Sequence, residues 1–252
     1  MASGYKLLAG KTAVITGCNR GIGKAVLEAF TANGANVLAC VRKENSEFST
    51  FIKLLSEKYS VQIFPVYFDA GNMEEIKSGV KQIVASKQPA DVLVNNAGIG
   101  YSALFQMSTL DKLKEVFDIN FVAPFIFTQY IAKLMVRQRS GSIINISSIA
   151  GIDGASGRSV YGSSKAALIC TTKVIAAELG GFGIRANCIA PGLTDTDMLS
   201  GMPKEVILEI LENSNVKRLG KPSEVADTAV FLASDLASFI TGQVIRVDGG
   251  SL

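Results

Sequence analysis

The sequence predicts an α/β fold in which a parallel sheet of about seven strands is covered by helices on both faces. Short apolar, β-branched runs alternate with longer segments whose apolar residues recur at helical spacing. The short runs are almost continuously apolar, as expected for strands buried on both faces. No proline-rich or low-complexity linker interrupts the 252 residues, so we predict a single domain over 1–252.

The first strand and helix enclose a turn that indicates a phosphate site. Residues 12–16 (TAVIT) form the strand, and the sequence GCNRGIG at 17–23 leads into a helix that ends at Gly34. Glycines in such a turn let backbone amides and a helix N-terminus approach a phosphate closely. The spacing is G-x-x-x-G-x-G rather than the commoner G-x-G-x-x-G, and an ordinary tight turn is the alternative.

The end of the second strand bears on the choice of dinucleotide. The strand at 36–41 (NVLACV) is followed by Arg42 and Lys43, with no carboxylate before Glu44. In dinucleotide folds an acid at this place binds the adenosine ribose, whereas an arginine accommodates the 2′-phosphate of NADP. Together with Arg20, these cations favour NADPH over NADH, and the alternative is that they only solvate a loop.

The remaining elements continue the alternation. Further helices are predicted at 46–59, 72–86, across 109–137, and from the segment around Tyr161 to near Gly180. Further strands are predicted at 61–68, 91–95 leading into a small-residue turn, 143–147, and 184–190, the last stopped by Pro191 and Gly192.

Charge and hydropathy exclude several classes of protein. The formal charge is +3 with both signs mixed, so no basic patch for nucleic acid is indicated. The start, MASGYKLLAGK, lacks the apolar run of a signal peptide, and no apolar stretch reaches the roughly 18 residues of a membrane span. We therefore expect a cytoplasmic protein without nucleic-acid or membrane partners.

Histidine and cysteine usage narrows the chemistry. The chain contains no histidine, which excludes Ser-His-Asp and Cys-His machinery and histidine zinc sites, and we predict no metal. The cysteines are widely spaced without a C-x-x-C pair, as expected for thiols without a functional role: Cys18, Cys40, Cys170 and Cys188. Proton transfer must then use Tyr, Lys, Asp, Glu or a cofactor.

The segment from Ser142 to Lys165 carries a candidate acid/base. Tyr161 and Lys165 are four residues apart, so on a helix they share one face. A nearby cation favours the phenolate and moves the tyrosine pKa from about 10 toward neutral pH. Alone this pair is a weak pattern that also arises by chance.

Several motifs occur together in one order along the chain. They are Thr16-Gly17-x-x-x-Gly21-Ile22-Gly23, Asn95-Asn96-Ala97-Gly98, Asn120, Ser148 thirteen residues before Tyr161, Tyr161-x-x-x-Lys165, Pro191-Gly192 and Asp248-Gly249-Gly250. With this set the chain resembles the short-chain dehydrogenase/reductases over essentially its whole length. The resemblance implies a Rossmann-type doubly wound sheet, a dinucleotide-binding N-terminal half, and a catalytic segment with a substrate lid at 142–216.

The resemblance also implies the catalytic roles. Tyr161 exchanges a proton with the substrate oxygen while hydride passes between the nicotinamide and the substrate carbon. Lys165 lowers the Tyr161 pKa and binds the nicotinamide ribose. Ser148 polarises the substrate carbonyl, whereas Ser147 faces the other way in an extended segment. Asn120 holds a water that links Lys165 to solvent.

Cofactor contacts are implied position by position. The pyrophosphate lies over the glycine turn, Arg20 and Arg42 lie near the 2′-phosphate, and Val41 replaces the aspartate of NAD-dependent relatives. The full implied set for NADPH/NADP is Gly17, Asn19, Arg20, Gly21, Ile22, Gly23, Arg42, Asp69 at the adenine, Asn96, Ala97 and Gly98 at the ribose, Tyr161, Lys165, Pro191, Gly192, and Thr194 at the nicotinamide carboxamide.

The substrate is less well determined. Within the family the chain is most similar to the 3-oxoacyl-acyl-carrier-protein reductases, which implies a β-ketoacyl substrate that is carried on an acidic carrier protein. Arg137 and Arg139 match one basic docking spot of this subgroup, whereas Phe182 stands where a second basic residue is usual. A reductase of small ketones, sugars or polyols and a non-catalytic dinucleotide sensor are the alternatives.

The predicted lid and the predicted assembly both depend on apolar residues. The segment Leu193–Val216 has more apolar residues than one buried helix face needs, which suits a lid, and the alternative is an amphipathic helix packed on its own domain. Four residues are expected at the mouth of the site: Tyr101, Ile149, Ile152 and Asp153. Arg158 is a candidate for an anionic substrate or for a surface contact.

A homotetramer is implied through the helices around 109–137 and 161–180 and through the C-terminal segment. Apolar residues of the first helix exceed one stripe, as they would if a partner covered a second side. They are Phe121, Phe125, Phe127 and Ile131. Complete burial within a monomer is the alternative.

Overall fold

The protein is built on one parallel sheet with the strand order β3-β2-β1-β4-β5-β6-β7. A computed structural model describes residues 6–200, Met202 and residues 204–251. The strands are Thr12–Thr16 (β1), Asn36–Val41 (β2), Ile63–Tyr67 (β3), Val92–Asn95 (β4), Gly141–Ile146 (β5), Ile184–Pro191 (β6) and Val244–Val247 (β7). The predicted doubly wound α/β fold of Rossmann type is confirmed.

Helices cover both faces of the sheet. They are Gly21–Ala32 (α1), Ser46–Tyr59 (α2), Met73–Ala85 (α3), Leu110–Phe117 (α4), Ala123–Gln138 (α5), Ser159–Leu179 (α6), Lys204–Glu212 (α7) and Pro222–Ala233 (α8). Side chains of α1, α2 and α8 pack on one face, and those of α3, α5 and α6 pack on the other. Alternate residues of β1 and β2 enter opposite clusters, which is why these strands read as continuously apolar.

The chain departs from the predicted elements at three points. The helical pattern at 109–137 is interrupted by a π-helical turn, Asp118–Val122, between α4 and α5. Strand β6 continues through Pro191, which pairs with Val247 of β7. Helix α1 ends at Ala32, and Gly34 follows with φ +87°, which a residue with a side chain rarely adopts.

The strand order places several loops at one edge of the sheet. The chain winds from β1 outward to β3 and then returns to β4 on the other side of β1. Loops that leave the carboxyl ends of β1 and β4 diverge at this reversal and open a crevice, the usual ligand site of open α/β sheets. The loops that follow β2, β5 and β6 lie at the same edge of the sheet.

The stretch Leu110–Gln138 is long and apolar enough to span a membrane by length and composition alone. Within its most apolar window, 44% is buried inside the protein. Phe127, Ile131 and Met135 lie in the core on the α3 side of the sheet. Packing against the sheet accounts for the buried part of this stretch, whereas Leu110, Leu113 and Phe125 are exposed.

Candidate active site

Helix α6 carries Tyr161 and Lys165 on one buried face. Tyr161 is 9% exposed and Lys165 is 5% exposed. The Lys165 Nζ donates to the Ile146 carbonyl at 2.9 Å, at the end of β5, and lies 5.9 Å from the centre of the Tyr161 ring. The predicted pair therefore stands at the carboxyl edge of the sheet, beside the crevice.

Asn120 reaches the same place because of the π-helical turn. Its Oδ1 accepts from the Ile99 N–H at 2.8 Å, and its Nδ2 donates to the Ile99 carbonyl at 3.0 Å and to the Ser164 hydroxyl at 3.2 Å. The side chain is completely buried between the loop after β4 and α6. The π turn, a feature frequent at functional sites, carries this amide. The water-holding role of Asn120 stays a prediction.

The two serines after β5 differ as predicted. The Ser147 hydroxyl is buried and donates to the Lys165 carbonyl at 3.0 Å, so it ties β5 to α6. The Ser148 hydroxyl accepts from the Ala150 N–H at 3.2 Å and faces the Tyr161 phenol. Ser148 is thus held beside the acid/base candidate by the short turn Ile149–Gly151.

Burial dominates the electrostatics of the site. It raises the pKa of Tyr161, while the Ser148 hydroxyl and the Arg158 cation pull that pKa down. Burial also lowers the pKa of Lys165 to about 8. In this structure the charge that lowers the Tyr161 pKa comes from Arg158, and Lys165 donates to a carbonyl, so the role of Lys165 in lowering that pKa stays a prediction.

A buried chain of hydrogen bonds lies beneath these residues. Asn95 Nδ2 donates to Thr128 Oγ1 at 2.8 Å and to Asn145 Oδ1 at 2.7 Å. Asn145 Nδ2 donates to Thr172 Oγ1 at 2.7 Å, and Thr172 contacts the Cys188 sulfur at 3.1 Å. The chain ties β4, β5 and β6 to α5 and α6, and its members Asn145 and Thr172 were not predicted.

The turn after β1 leaves no room for a side chain at Gly17 or Gly23. Gly17 has φ +74°, and a Cβ on Gly23 would lie 2.1 Å from the Gly17 carbonyl oxygen and 2.3 Å from Asn96 Nδ2. The Asn96 amide donates to the carbonyls of Thr16 and Gly17 at 3.0 and 3.3 Å. Asn96, predicted at the ribose, therefore fixes the shape of this cradle, which fits the close approach of a pyrophosphate.

The predicted adenosine side of the cofactor site is lined by exposed cations. Arg20 and Arg42 are both exposed, and Arg20 lies 3.5 Å from Asp197 of the lid segment. Val41 is buried in β2 and leaves no carboxylate there. The Asp69 carboxylate accepts from the Gly71 N–H at 2.8 Å, which orients it at the end of β3.

The other predicted cofactor residues follow β1, β4 and β6. A Cβ on Gly98 would lie 3.5 Å from Lys165 Nζ, so the loop after β4 runs against the lysine. Thr194 is buried and its hydroxyl donates to the Gly192 carbonyl at 3.1 Å. The rest of the predicted set is Asn19, Gly21, Ile22, Ala97 and Pro191.

Among the described residues, the lid segment is fastened at both ends and contacts the glycine turn through Asp197, 3.5 Å from Arg20. None of the residues of α7 is fully buried, and Leu208 is 61% exposed, whereas Ile207, Ile210 and Leu211 are half-buried on one side. The lid and the alternative of an amphipathic helix packed on its own domain therefore both stay predictions.

The Val216 N–H donates to the Gly249 carbonyl at 2.8 Å, which anchors the far end of the lid segment. At the near end Thr194 pairs with Gly220. Lid positions 201 and 203 lie outside the described residues.

The comparisons with known proteins agree with this geometry. The family model described as Enoyl-(Acyl carrier protein) reductase matches residues 17–251. A 3-oxoacyl-[acyl-carrier-protein] reductase of Thermotoga maritima is 40% identical over 244 residues, covering 96% of this chain and 98% of the relative. The chain belongs to the short-chain dehydrogenase/reductase family.

Solved structures of other short-chain dehydrogenase/reductases match closely. A 3-oxoacyl-[acyl-carrier protein] reductase of Brucella melitensis has a TM-score of 0.90 at 33% identity, covering 98% of this chain and 92% of that one. A protein of Beutenbergia cavernae, described as an NAD(P)-dependent gluconate 5-dehydrogenase with bound NADP, has a TM-score of 0.89 at 32% identity and covers 98% of each chain.

Two features of this short-chain dehydrogenase/reductase escaped the sequence analysis. Arg246 of β7 pairs with Asp153 at 2.8 Å and with Asp248 at 2.7 Å, and so joins the loop after Ser148 to the C-terminal segment. The guanidinium of Arg139 lies 5.9 Å from the centre of the Phe182 ring. The sequence shows that the first pair has opposite charges and that the second combines a cation with an aromatic ring. It does not show that the members of either pair lie close together in the fold.

The four cysteines differ in burial, and their lack of a functional role stays a prediction. Cys18, Cys40 and Cys188 are buried, and Cys170 is exposed on α6. In the part of the chain that the structure describes, no cluster of acidic, cysteine or histidine side chains could hold a metal ion.

Proposed function

We propose that this oxidoreductase reduces the ketone of a 3-oxoacyl thioester with NADPH. The observation that carries the proposal is that the half-buried Ser148 lies with the buried Tyr161 and Lys165 beside a glycine cradle at one sheet edge. The glycine cradle would hold a dinucleotide in that crevice, and Ser148 and Tyr161 would hold the carbonyl of the substrate. NADPH, when bound, supplies the hydride.

Tyr161 donates the proton to the ketone oxygen. Because burial raises its pKa, the phenol is protonated at neutral pH, which is the form that a reduction requires. The Ser148 hydroxyl donates a hydrogen bond to the same oxygen and orients the carbonyl. The pKa of Lys165, about 8, is close to the working pH. Its ammonium can therefore return a proton to the phenol, on the side of the site where Asn120 lies.

NADPH rather than NADH is supported by the charges beside β2. Arg20 and Arg42 present cations where a 2′-phosphate would lie, and Val41 provides no acid for a ribose diol. Replacing Arg42 with alanine should raise the KM for NADPH about tenfold and leave the KM for NADH within about twofold. Equal changes in both constants would contradict the assignment.

The acyl part of the proposal comes from relatives whose names specify acyl-carrier substrates. The family description names an enoyl substrate, but a serine hydroxyl beside a phenol suits a carbonyl. We also propose a cytoplasmic homotetramer, with the exposed side of Phe121 and Phe125 covered by a second copy.

Carrier docking would use Arg137 and Arg139.

NADPH oxidation with a substrate panel tests the function. The panel contains acetoacetyl-N-acetylcysteamine, crotonyl-N-acetylcysteamine, cyclohexanone and 5-ketogluconate. We expect the acetoacetyl thioester to have the highest kcat/KM. Faster reduction of the crotonyl thioester would favour the enoyl reaction, and no turnover of either thioester would defeat the acyl proposal.

A sugar-acid dehydrogenase is the second candidate, supported by the likeness to the gluconate 5-dehydrogenase. A higher kcat/KM for 5-ketogluconate than for the acetoacetyl thioester would establish it instead. Tight NADPH binding without turnover of any carbonyl would point to a sensor.

A further inference from the structure

Arg158 is a cation beside Tyr161 that the reaction above does not use. Its guanidinium carbon lies 5.8 Å from the centre of the Tyr161 ring, and its Nη1 donates to the Tyr101 carbonyl at 3.4 Å. The residue precedes α6, three positions before the tyrosine. The side chain therefore lies between the catalytic helix and the loop after β4.

The charge of Arg158 is uncompensated. Among the residues that the structure describes, no carboxylate forms an ion pair with it, and Asp153, five residues earlier in the chain, is paired with Arg246 at 2.8 Å. A guanidinium has five N–H donors, and a single bond of 3.4 Å engages only one of them weakly. A half-buried cation with free donors is suited to an oxygen ligand.

The backbone around Arg158 is held in place. The Gly157 carbonyl accepts from the Ala103 N–H at 3.0 Å, which fastens this segment to the loop at Tyr101. Gly157 has φ +72°, and a Cβ there would lie 3.5 Å from the Ser102 hydroxyl. The Gly162 N–H donates to the Arg158 carbonyl at 2.6 Å, in the first turn of α6. The guanidinium is thus presented from a fixed base.

We propose that Arg158 selects the substrate by binding the acyl oxygen two carbons away from the reacting ketone. Once Ser148 and Tyr161 fix the ketone oxygen, two C–C bonds of about 1.5 Å separate the ketone carbon from the acyl carbon. In this proposal the acyl oxygen accepts from the Arg158 guanidinium, which lies 5.8 Å from the centre of the Tyr161 ring. The oxygen belongs to a thioester or to a carboxylate, and a simple ketone has none.

This inference rests on the proposed function and can be tested separately from it. We would measure kcat/KM of the native protein and of Arg158→Gln with acetoacetyl-N-acetylcysteamine, acetoacetate and cyclohexanone. In Arg158→Gln, the kcat/KM of each acyl substrate relative to that of cyclohexanone should fall about 10- to 100-fold, mainly because KM for the acyl substrate rises. Arg158→Lys should recover part of the ratio. Lys53→Gln, which removes an exposed cation from α2, should leave it unchanged.

Each outcome decides the assignment. Turnover of the thioester with an unchanged ratio in Arg158→Gln would overturn the role of Arg158 and leave the proposed function intact. Reduction of acetoacetate that depends on Arg158, with no reduction of the thioester, would support Arg158 and overturn the thioester function. A native protein that prefers cyclohexanone to both acyl substrates would overturn both.

A measurement on the native protein guards against a variant that does not fold. Acetoacetate carries a carboxylate where 2-pentanone has only an ethyl group, and both ketones can compete with cyclohexanone for the site. We expect acetoacetate to inhibit at a concentration at least about tenfold lower than 2-pentanone. Equal inhibition by the two would overturn the assignment.

Discussion

The catalytic floor and the lid are built in opposite ways. The floor, comprising Asn95, Asn120, Asn145, Tyr161 and Lys165, is buried, and its amides are hydrogen-bonded to neighbouring elements. The lid helix α7 has no fully buried residue and, among the described residues, is fastened beyond its ends. The positions that would perform the chemistry are thus fixed by the fold, whereas the surface that would meet the rest of the substrate can change at little cost in stability.

Replacing Tyr161 with phenylalanine should have the largest effect. Loss of the proton donor should lower kcat by about 10²- to 10⁴-fold, while NADPH binding, followed by fluorescence titration, stays within about twofold. Tyr130→Phe on α5 is the matched control and should keep its activity. Turnover near the native level in Tyr161→Phe would show that the floor does not carry the reaction.

Lys165 should make the stability of the cofactor-free protein depend on pH. Its pKa is about 8 in the folded protein against 10.5 in the reference state, so between these values the unfolded chain binds more protons and stability rises with pH. The difference in unfolding free energy between the native protein and Lys165→Met should change by about 3 kcal/mol across this window. Urea unfolding at several pH values measures it.

The exposed Lys173, two turns further along α6, provides the control for this titration. Lys173→Met should leave the pH dependence of stability within about 0.5 kcal/mol of the native curve. The burial account of Lys165 fails if the two variants behave alike.

Asn95→Ala should destabilise the floor by about 1–3 kcal/mol, because it leaves Thr128 and Asn145 without their partner. Asn213→Ala, which removes an exposed amide that donates to Glu209 near the end of the lid, should cost less than about 0.5 kcal/mol. Urea unfolding of both compares the two regions directly. Similar losses of unfolding free energy in the two variants would show that the floor and the lid do not differ in this way.

Leu208→Ser on α7 should have the smallest effect on stability, below about 0.5 kcal/mol, because the side chain is already exposed. If the lid covers the acyl chain, the KM for a 3-oxododecanoyl thioester should rise about three- to tenfold, with little change for the acetoacetyl thioester. An equal change for both lengths would remove α7 from the acyl site.

The sequence was sufficient wherever the signal was local. The run TAVIT, the glycine turn and the helix after it specify a strand, a cradle and a helix from neighbouring residues alone. Tyr161 and Lys165 share a face because they are four residues apart on one helix. Their spatial relation therefore followed from periodicity.

Contacts between distant segments could not be predicted in this way. The π-helical turn that directs Asn120 toward Ile99 leaves no mark in the hydrophobic pattern. The position of Arg158 over Tyr161 depends on how the loop at Tyr101 packs, and the direction of the Tyr161 pKa depends on burial. Burial and long-range packing are properties of the assembled fold.

The anchoring of the lid by the segment after β7 has a consequence for biosynthesis. Val216 binds Gly249, and Ser214 contacts Ser251 at 3.0 Å, so the lid is secured by residues that leave the ribosome after it. Helix α8, which packs with α1 beside the glycine cradle, also leaves the ribosome after the lid. Chains generally fold from the N-terminus during synthesis, but here both the cradle and the lid wait for C-terminal residues, so we expect a nascent chain to complete its two binding surfaces together.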